Sequence, residues 1–308
     1  MTAPGDRSAQ DVIAVLEVGG SHVTSALVDP RAPQVLPSTL KRLSIDPAAS
    51  ADTLITTFAH AMAHAGAPTN PRWVIAMPGP FDYRSGTAWF TGVGKFDALY
   101  GLDLCRLLEE ALICPLGAVQ FVNDADAFAI GEWRRGVSAG ADRCVAVTLG
   151  SGVGSSFLAH GVPVSTGPTV PPEGHVYRLR IGDASLEDVV SRRAILARYL
   201  STATPDEAPD LDVRDVFSRS RRGDEWAARV LDDAFHALGA ALAPWLARFR
   251  ATVLVVGGSM AGSWDLLQPA LLQGLKTQIG PELALLRSAD SIGSALVGAA
   301  LSASPTQA

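Results

Sequence analysis

Two stretches of this 308-residue chain repeat one pattern: an apolar run, a glycine-rich turn that carries a serine, and a second apolar run. In the first, residues 12–16 lead into Glu17-Val-Gly-Gly-Ser-His22, and residues 23–28 return as far as Asp29-Pro30. In the second, residues 143–149 lead into Gly150-Ser-Gly-Val-Gly154, and residues 155–159 return. Gly19-Gly20 followed by alternating β-branched residues predicts a hairpin, not the strand–turn–helix of a dinucleotide-binding unit. The same hairpin in each half of a chain long enough for two cores predicts duplicated domains facing each other. Turns of this kind leave backbone N–H groups bare and remove side-chain bulk, which suits an anion.

Between the hairpins, residues 118–122 read as a short buried strand that stops at Asn123-Asp124, with a helix from Ala125. A carboxylate at the end of a strand and the start of a helix sits on the edge where open α/β folds bind ligands. Asp124 is therefore a candidate general base. Its alternative is a helix cap, with Asp126 as a competing cap. A third turn, Gly257-Gly258-Ser259, closes the apolar run 252–256. Each turn alone is an ordinary tight turn; three in this order, with Asn-Asp between the first two, are far more specific.

The remaining periodicity predicts helices over 52–65, 102–113, 186–200, 213–219, 224–238, 239–249, 264–279 and 292–301. Pro244 is expected to kink or divide the helix it falls in. Residues 73–77 read as a buried strand leading into Pro78-Gly79-Pro80, residues 83–100 as a loop or short hairpin, and residues 283–287 as a short strand. The alternation of strands and helices places the chain in the α/β class.

A net charge of −6 with scattered arginines excludes a basic nucleic-acid footprint. Arg219-Ser-Arg-Arg222 reads as a solvated helix end. Cys105, Cys114 and Cys144 lack metal-ligand spacing and read as reduced thiols. The polar residues 1–10 read as a loose tail without the apolar core of a signal peptide, and no apolar run is long enough to span a bilayer. A cytoplasmic protein with no membrane partner is the expectation.

The order Gly-Gly-Ser, Pro-Gly-Pro, Asn-Asp-Ala, Leu-Gly-Ser-Gly-Val-Gly, Gly-His, Leu-Glu, Gly-Gly-Ser resembles the ROK family of sugar kinases, within the actin-like, hexokinase-type ATPase superfamily. Its most specific parts are Phe121-Val-Asn-Asp-Ala-Asp-Ala127, Thr148-Leu-Gly-Ser-Gly-Val-Gly154 and Val255-Val-Gly-Gly-Ser259, and it runs from about Ile13 to Leu301. The resemblance implies two RNase H-like domains around a central cleft, 1–122 with 291–308 and 123–290. It implies ATP with Mg2+ as phosphoryl donor and a sugar as acceptor. Asp124 would be the base, Asn123 would bind a ring hydroxyl, and Gly79 would present its backbone to the sugar. Gly19, Gly20 and Ser21 would form one phosphate loop, Ser151, Gly152 and Gly154 a second, and Gly257 and Gly258 would border the adenosine. Domain closure would exclude water. A homodimer is the family-level expectation.

Four departures stand out. Glu17 occupies a place where the family usually has Asp; it is one methylene longer, so any water-mediated link to Mg2+ must shift. In Pro171-Pro172-Glu173-Gly174-His175 the family's Gly-His is kept but its Glu is displaced by one position, leaving His175 the firmer sugar contact. No Cys occurs in residues 177–188, which predicts no structural zinc. The loop Gly92-Val-Gly-Lys-Phe-Asp97 lacks the family's Pro-Asn and carries Lys95 and Asp97 instead. It is either a solvated loop or the mark of a different sugar, such as kanosamine or glucosamine, with Asp97, Glu173 or Glu187 pairing the ammonium. By the resemblance Glu187, in Ala-Ser-Leu-Glu187, matches the family's second sugar-binding Glu; its alternative is a first-turn helix acid interacting with the helix dipole. The function this implies is ATP-dependent phosphorylation of a hexose 6-hydroxyl. The alternative is a catalytically degenerate sugar sensor of the same fold. Direct DNA repression is disfavoured, because only about a dozen residues precede the first strand.

Overall fold

The computed structural model describes residues 12–68, 71–92, 94–113, 116–201, 211–276 and 282–303. Residues 1–10, Cys114, most of the polar break at 201–210 and the end of the helix expected to reach 279 lie outside the described residues. The chain forms two compact units, one running to Arg135 and resuming at Asp290, the other covering Gly136–Ala289.

In chain order the first unit contains β1 (Ile13–Val18), β2 (His22–Asp29), β3 (Gln34–Val35), β4 (Lys41–Ser44) and α1 (Ala51–His64). It continues with β5 (Arg72–Met77), β6 (Phe81–Asp82), β7 (Thr87–Ala88), α2 (Leu104–Leu112), β8 (Ala118–Asn123) and α3 (Asp124–Arg135), and takes back the C-terminal helix Ser291–Leu301. β1 and β2 form the expected hairpin, and its turn is closed by the Gly19 N–H donating to the His22 carbonyl at 2.9 Å. The sheet order is β3-β2-β1-β5-β8, with β1, β5 and β8 parallel. Strand side chains alternate between faces, so both sides of the sheet are covered. Ala14, Leu16 and Val18 pack with Phe58 and Met62 of α1 and Leu108 of α2. Ile13 and Val15 pack with Leu296, Val297 and Ala300 of the C-terminal helix. β8 is the edge strand, so only Phe121 of it is fully buried; the sequence reading had taken this run for a buried strand.

α3 meets the C-terminal helix backbone to backbone. A Cβ on Gly131 would land inside the van der Waals shell of the Ser294 carbonyl, and one on Gly298 inside that of Ala127. This contact keeps α3 with the first unit, so the unit runs on to Arg135, beyond the change of domain at 122 that the sequence suggests.

The second unit repeats the plan with β9 (Arg143–Leu149), β10 (Val153–Ala159), β11 (Val162–Pro163), β12 (Arg180–Ile181), β13 (Ala184–Ser185), α4 (Glu187–Val190), α5 (Arg192–Leu200), α6 (Val213–Arg221), α7 (Glu225–Phe249), β14 (Val253–Gly257), α8 (Trp264–Leu275) and β15 (Ala284–Arg287). The C-terminal helix of the first unit is α9. The sheet order β11-β10-β9-β14-β15 matches that of the first unit, strand for strand, apart from the extra β4. The sequence repeat is thus a repeated topology.

Three local expectations change. The helix expected at 186–200 breaks at Ser191, which is extended and caps α5 by accepting from the Ala194 N–H at 3.3 Å. The segments 224–238 and 239–249 are one helix, α7. Leu238, Leu242, Ala243 and Leu246 are all buried, and Gly239 packs against the backbone of α8 around Leu271 and Gly274. Core packing on both sides carries the helix through Pro244, which removes a single N–H. The arginine run is not merely solvated: Arg219 lies over the Tyr199 ring, and Arg221 makes a two-pronged pair with Asp265 at 2.7 and 2.9 Å. Cys144 is buried and Cys105 half-buried.

Replacing Gly298 by valine is expected to destabilise the fold by about 3 kcal/mol or more, because backbone rather than a movable side chain faces the new atoms. Gly262→Ala, where a Cβ meets nothing within 4 Å, is expected to stay within about 0.5 kcal/mol. Urea denaturation midpoints of the two variants check this.

Candidate active site

Parallel pairing brings three strand ends of the first unit to one edge: Val18-Gly19 after β1, Met77 to Gly79 after β5, and Asn123-Asp124 after β8. β1 and β5 flank the point where the strand order reverses, the place where α/β sheets bind ligands. Asn123 is the helix cap, not Asp126. Its Oδ1 accepts the N–H groups of Ala125 at 3.0 Å and Asp126 at 3.1 Å. Its Nδ2 donates to the Tyr83 hydroxyl at 2.8 Å, and that hydroxyl donates to the Met77 carbonyl at 3.1 Å. The same hydroxyl lies 3.7 Å from where a Cβ on Gly79 would stand. Tyr83 therefore ties Met77 and Asn123 together, beside Gly79. The sequence shows Tyr83 only as the start of the loop or short hairpin expected at 83–100.

Asp124 is the first residue of α3, and its Oδ1 accepts the Ala125 N–H at 2.9 Å. The positive end of the helix dipole favours an ionised carboxylate there. Glu17 lies near it. Burial, first, and the Asp124 charge, second, push the Glu17 carboxyl up to about 7, against the opposing pull of Arg42 and a hydrogen bond with Thr24. Glu17 keeps some accessible surface, yet the protein packed around it is the larger cause. The strand register explains the trio: Thr24 stands opposite Glu17 across β1–β2, and Arg42 stands opposite Thr24 across β2–β4. Two adjacent polar residues, Thr24 and Ser25, inside a mostly apolar strand were the signal available in the sequence. Ser21 is in the turn, with its hydroxyl 3.0 Å from His22 Nδ1. Gly20 lies between them. Asp97 is exposed at the start of a short 3-10 turn, beside the buried Phe96, and its carboxylate makes no hydrogen bond or ion pair among the described residues.

In the second unit the register pairs Gly257 with Thr148, so the turns 150–154 and 257–259 meet at the ends of adjacent parallel strands. Gly258, at φ +83°, packs directly on the backbone of Leu149 and leaves no room for a Cβ. The Gly150 N–H donates to the Gly152 carbonyl at 3.0 Å. Ser151 and Gly154 complete the turn on either side of Gly152 and Val153. Glu187 does not project away as a simple helix-end acid: its Oε2 accepts the Val153 N–H at 3.3 Å. The His175 loop hangs on the buried Ser155, whose hydroxyl donates to the Gly174 carbonyl at 2.6 Å and accepts the Val176 N–H at 3.0 Å. Glu173 is left-handed, at φ +59°. Its Oε2 lies 3.1 Å from His175 Nδ1 and 3.0 Å from Arg178, so the Glu173 and His175 side chains meet. Among the described residues, no group of three or more His, Cys, Asp or Glu is placed to hold a metal ion. No described helix is long and apolar enough to cross a membrane.

Two sheets of one topology, each with a glycine turn at its first hairpin, are the actin-like ATPase fold. The sequence profile of the ROK family matches residues 13–301, and the chain belongs to that family. Among its relatives, an N-acetylmannosamine kinase of Shigella boydii is 27% identical over 306 residues, which cover 93% of this chain and 96% of that one. A glucokinase of Thermotoga maritima is 26% identical over 229 residues, covering 67% and 69%. Among solved structures, a ROK family glucokinase from Streptomyces griseus in complex with glucose and AMPPNP superposes with a TM-score of 0.74 at 21% identity, covering 94% of this chain and 98% of that one.

The raised Glu17 carboxyl carries a stability consequence. In the folded chain it holds its proton more tightly than the unfolded chain does. Its contribution is complete below the ordinary value of 4.5 and is lost as pH rises through about 7. Above that, the ionised group costs up to about 3 kcal/mol. Glu17→Gln is therefore expected to raise the melting temperature by a few degrees at about pH 8 and to change it little near pH 4.5. Thermal unfolding followed across that range checks the sign.

Proposed function

We propose that this protein transfers the γ-phosphoryl group of ATP to the 6-hydroxyl of a hexose: glucose, or an amino hexose such as N-acetylmannosamine or glucosamine. The observation that carries the reading is Asp124, a carboxylate at the N-terminus of α3, beside an Asn123 whose side chain is committed to capping that helix. A base must be held still and kept ionised. The cap fixes the backbone of Asp124, and the helix dipole favours its charge. The hydroxyl oxygen attacks the γ-phosphorus, its proton passes to Asp124, and ADP leaves. Proton transfer of this kind contributes about 10² to 10⁴ in rate, with positioning and charge neutralisation supplying most of the rest.

The first unit offers Gly19, Gly20 and Ser21 as a phosphate turn, and Gly79 as backbone for the sugar. The second offers Ser151, Gly152 and Gly154 as another phosphate turn, Gly257 and Gly258 for the nucleoside, and His175 for the sugar. Mg2+ enters on the nucleotide, where it neutralises phosphate charge, and no protein ligand to it is proposed. Of the three carboxylates offered for an ammonium, Glu173 is already shared by Arg178 and His175, and Glu187 already accepts the Val153 N–H. Asp97 is the better candidate for an amino-sugar contact.

Asp124→Asn is expected to lower kcat by about a thousandfold or more while leaving sugar affinity within a few fold. ADP release with Mg2+-ATP and a panel of hexoses, alongside calorimetric sugar binding, measures both. Turnover retained in Asp124→Asn sinks Asp124 as the base. Binding without turnover in the unaltered chain favours a sugar sensor instead.

A further inference from the structure

The small hairpin of β6 and β7 pairs only with itself, Phe81 with Ala88 and Asp82 with Thr87, apart from the main sheet. Its turn is nevertheless fixed at several points. The Asp82 carboxylate accepts the N–H groups of Arg84 at 2.9 Å and Ser85 at 3.3 Å, and the Ser85 hydroxyl at 2.8 Å. The Gly86 N–H donates to the Asp82 carbonyl at 2.8 Å. Gly86 is left-handed, at φ +75°, and a Cβ there would stand 2.6 Å from the Phe121 ring. The Phe81 ring lies 5.1 Å from that of Phe121 and 5.3 Å from that of Tyr83. The hairpin thus brings the Tyr83 hydroxyl to the ends of β5 and β8, where Met77 and Asn123 are the last pair in register.

The direction of each hydrogen bond there is fixed by its neighbours. A carbonyl only accepts, so the Tyr83 hydroxyl donates to Met77 at 3.1 Å. A phenol has a single hydrogen, so it meets Asn123 with a lone pair, and the amide turns its Nδ2 to it at 2.8 Å. The amide oxygen then faces α3 and accepts the N–H groups of Ala125 and Asp126. An amide rotated by half a turn would set its own N–H groups against those two donors. One amide hydrogen goes to Tyr83; the other has no partner among the described residues. A donor of fixed direction therefore stands at the ligand-binding edge of the sheet, close to the backbone of Gly79.

We propose that Tyr83 is a positioning residue: its hydroxyl sets the polarity of the Asn123 amide, so that the second amide hydrogen is presented to a hydroxyl oxygen of the sugar. The inference rests on the reading of Asn123 as a sugar contact. Asp124 keeps its place through the helix cap, so Tyr83 acts on acceptor binding and not on proton transfer. Phenylalanine at this position keeps the ring packing but leaves the amide without the lone pair that orients it.

Steady-state kinetics of the full chain with Mg2+-ATP and glucose, glucosamine or N-acetylmannosamine test this. The proteins compared are the unaltered chain, Tyr83→Phe, Asn123→Ser and the double variant. Serine keeps an oxygen for the helix cap and has no amide. Tyr83→Phe is expected to raise KM for the sugar about five- to tenfold, with kcat within about threefold and KM for ATP within about twofold. On the Asn123→Ser background the same change is expected to add less than about twofold, because the amide it orients is gone. A lowered melting temperature with sugar KM unaltered is what a merely structural tyrosine gives, and it overturns the role. A full effect of Tyr83→Phe on top of Asn123→Ser overturns it too. If the unaltered chain binds one of these sugars without turning it over, the kinase reading falls, and calorimetric affinities of the same four proteins test Tyr83 by the same ratios. Neither turnover nor binding in the unaltered chain overturns both.

Discussion

Two carboxylates of the first unit, Glu17 at the end of β1 and Asp124 at the start of α3, are the constraint around which that unit is arranged. A carboxylate buried within reach of a like charge is expensive unless it takes up a proton or a cation offsets it. Here Glu17 yields: burial first, and the Asp124 charge second, move its carboxyl up to about 7, while Arg42 and a hydrogen bond with Thr24 act in the opposite direction. That balance needs the register of β1, β2 and β4, because Glu17, Thr24 and Arg42 are neighbours only when the hairpin pairs as it does. A slip of one residue turns every side chain to the other face and dissolves the arrangement.

Glycine at close approach gives the rest of the scaffold its stiffness. Gly131 and Gly298 let α3 and α9 touch, Gly239 and Gly274 do the same for α7 and α8, and Gly258 seats the end of β14 on Leu149. In each case backbone meets backbone, and two of these elements, α3 with Asp124 and β14 with Gly257, carry candidate site residues. Asp124 stands on a helix fixed in this way. A site on such elements holds its geometry more closely than one on loops.

Much of this was legible in the chain, for reasons tied to particular residues. The hairpins were visible because Gly19-Gly20 and Gly150-Ser151-Gly152 interrupt long apolar runs, and strand periodicity is a strong signal. Motif order pointed to the family before any coordinates, and the profile match over 13–301 bears that out. What stayed hidden depends on long-range packing. Nothing local announces that β8 is an edge strand, that Pro244 sits inside a continuous helix, or that α3 belongs with α9. The sequence shows Asn123 as a candidate ligand contact but not that its Oδ1 caps α3 and one of its amide hydrogens goes to Tyr83. Tyr83, 40 residues away, carried no pattern to mark it. By sequence Glu187 fits both a sugar contact and a helix-end acid; in the structure its carboxylate accepts an N–H of a turn 34 residues earlier.

The central claim is that this chain makes a sugar phosphate. Phosphorus NMR of the protein with Mg2+-ATP and, in turn, glucose, glucosamine and N-acetylmannosamine tests it most directly, because it distinguishes the product from free phosphate. The account predicts a phosphomonoester signal that grows with ADP in equal amount for at least one of these sugars. ATP left intact, or converted only to ADP and inorganic phosphate while a sugar binds, contradicts it.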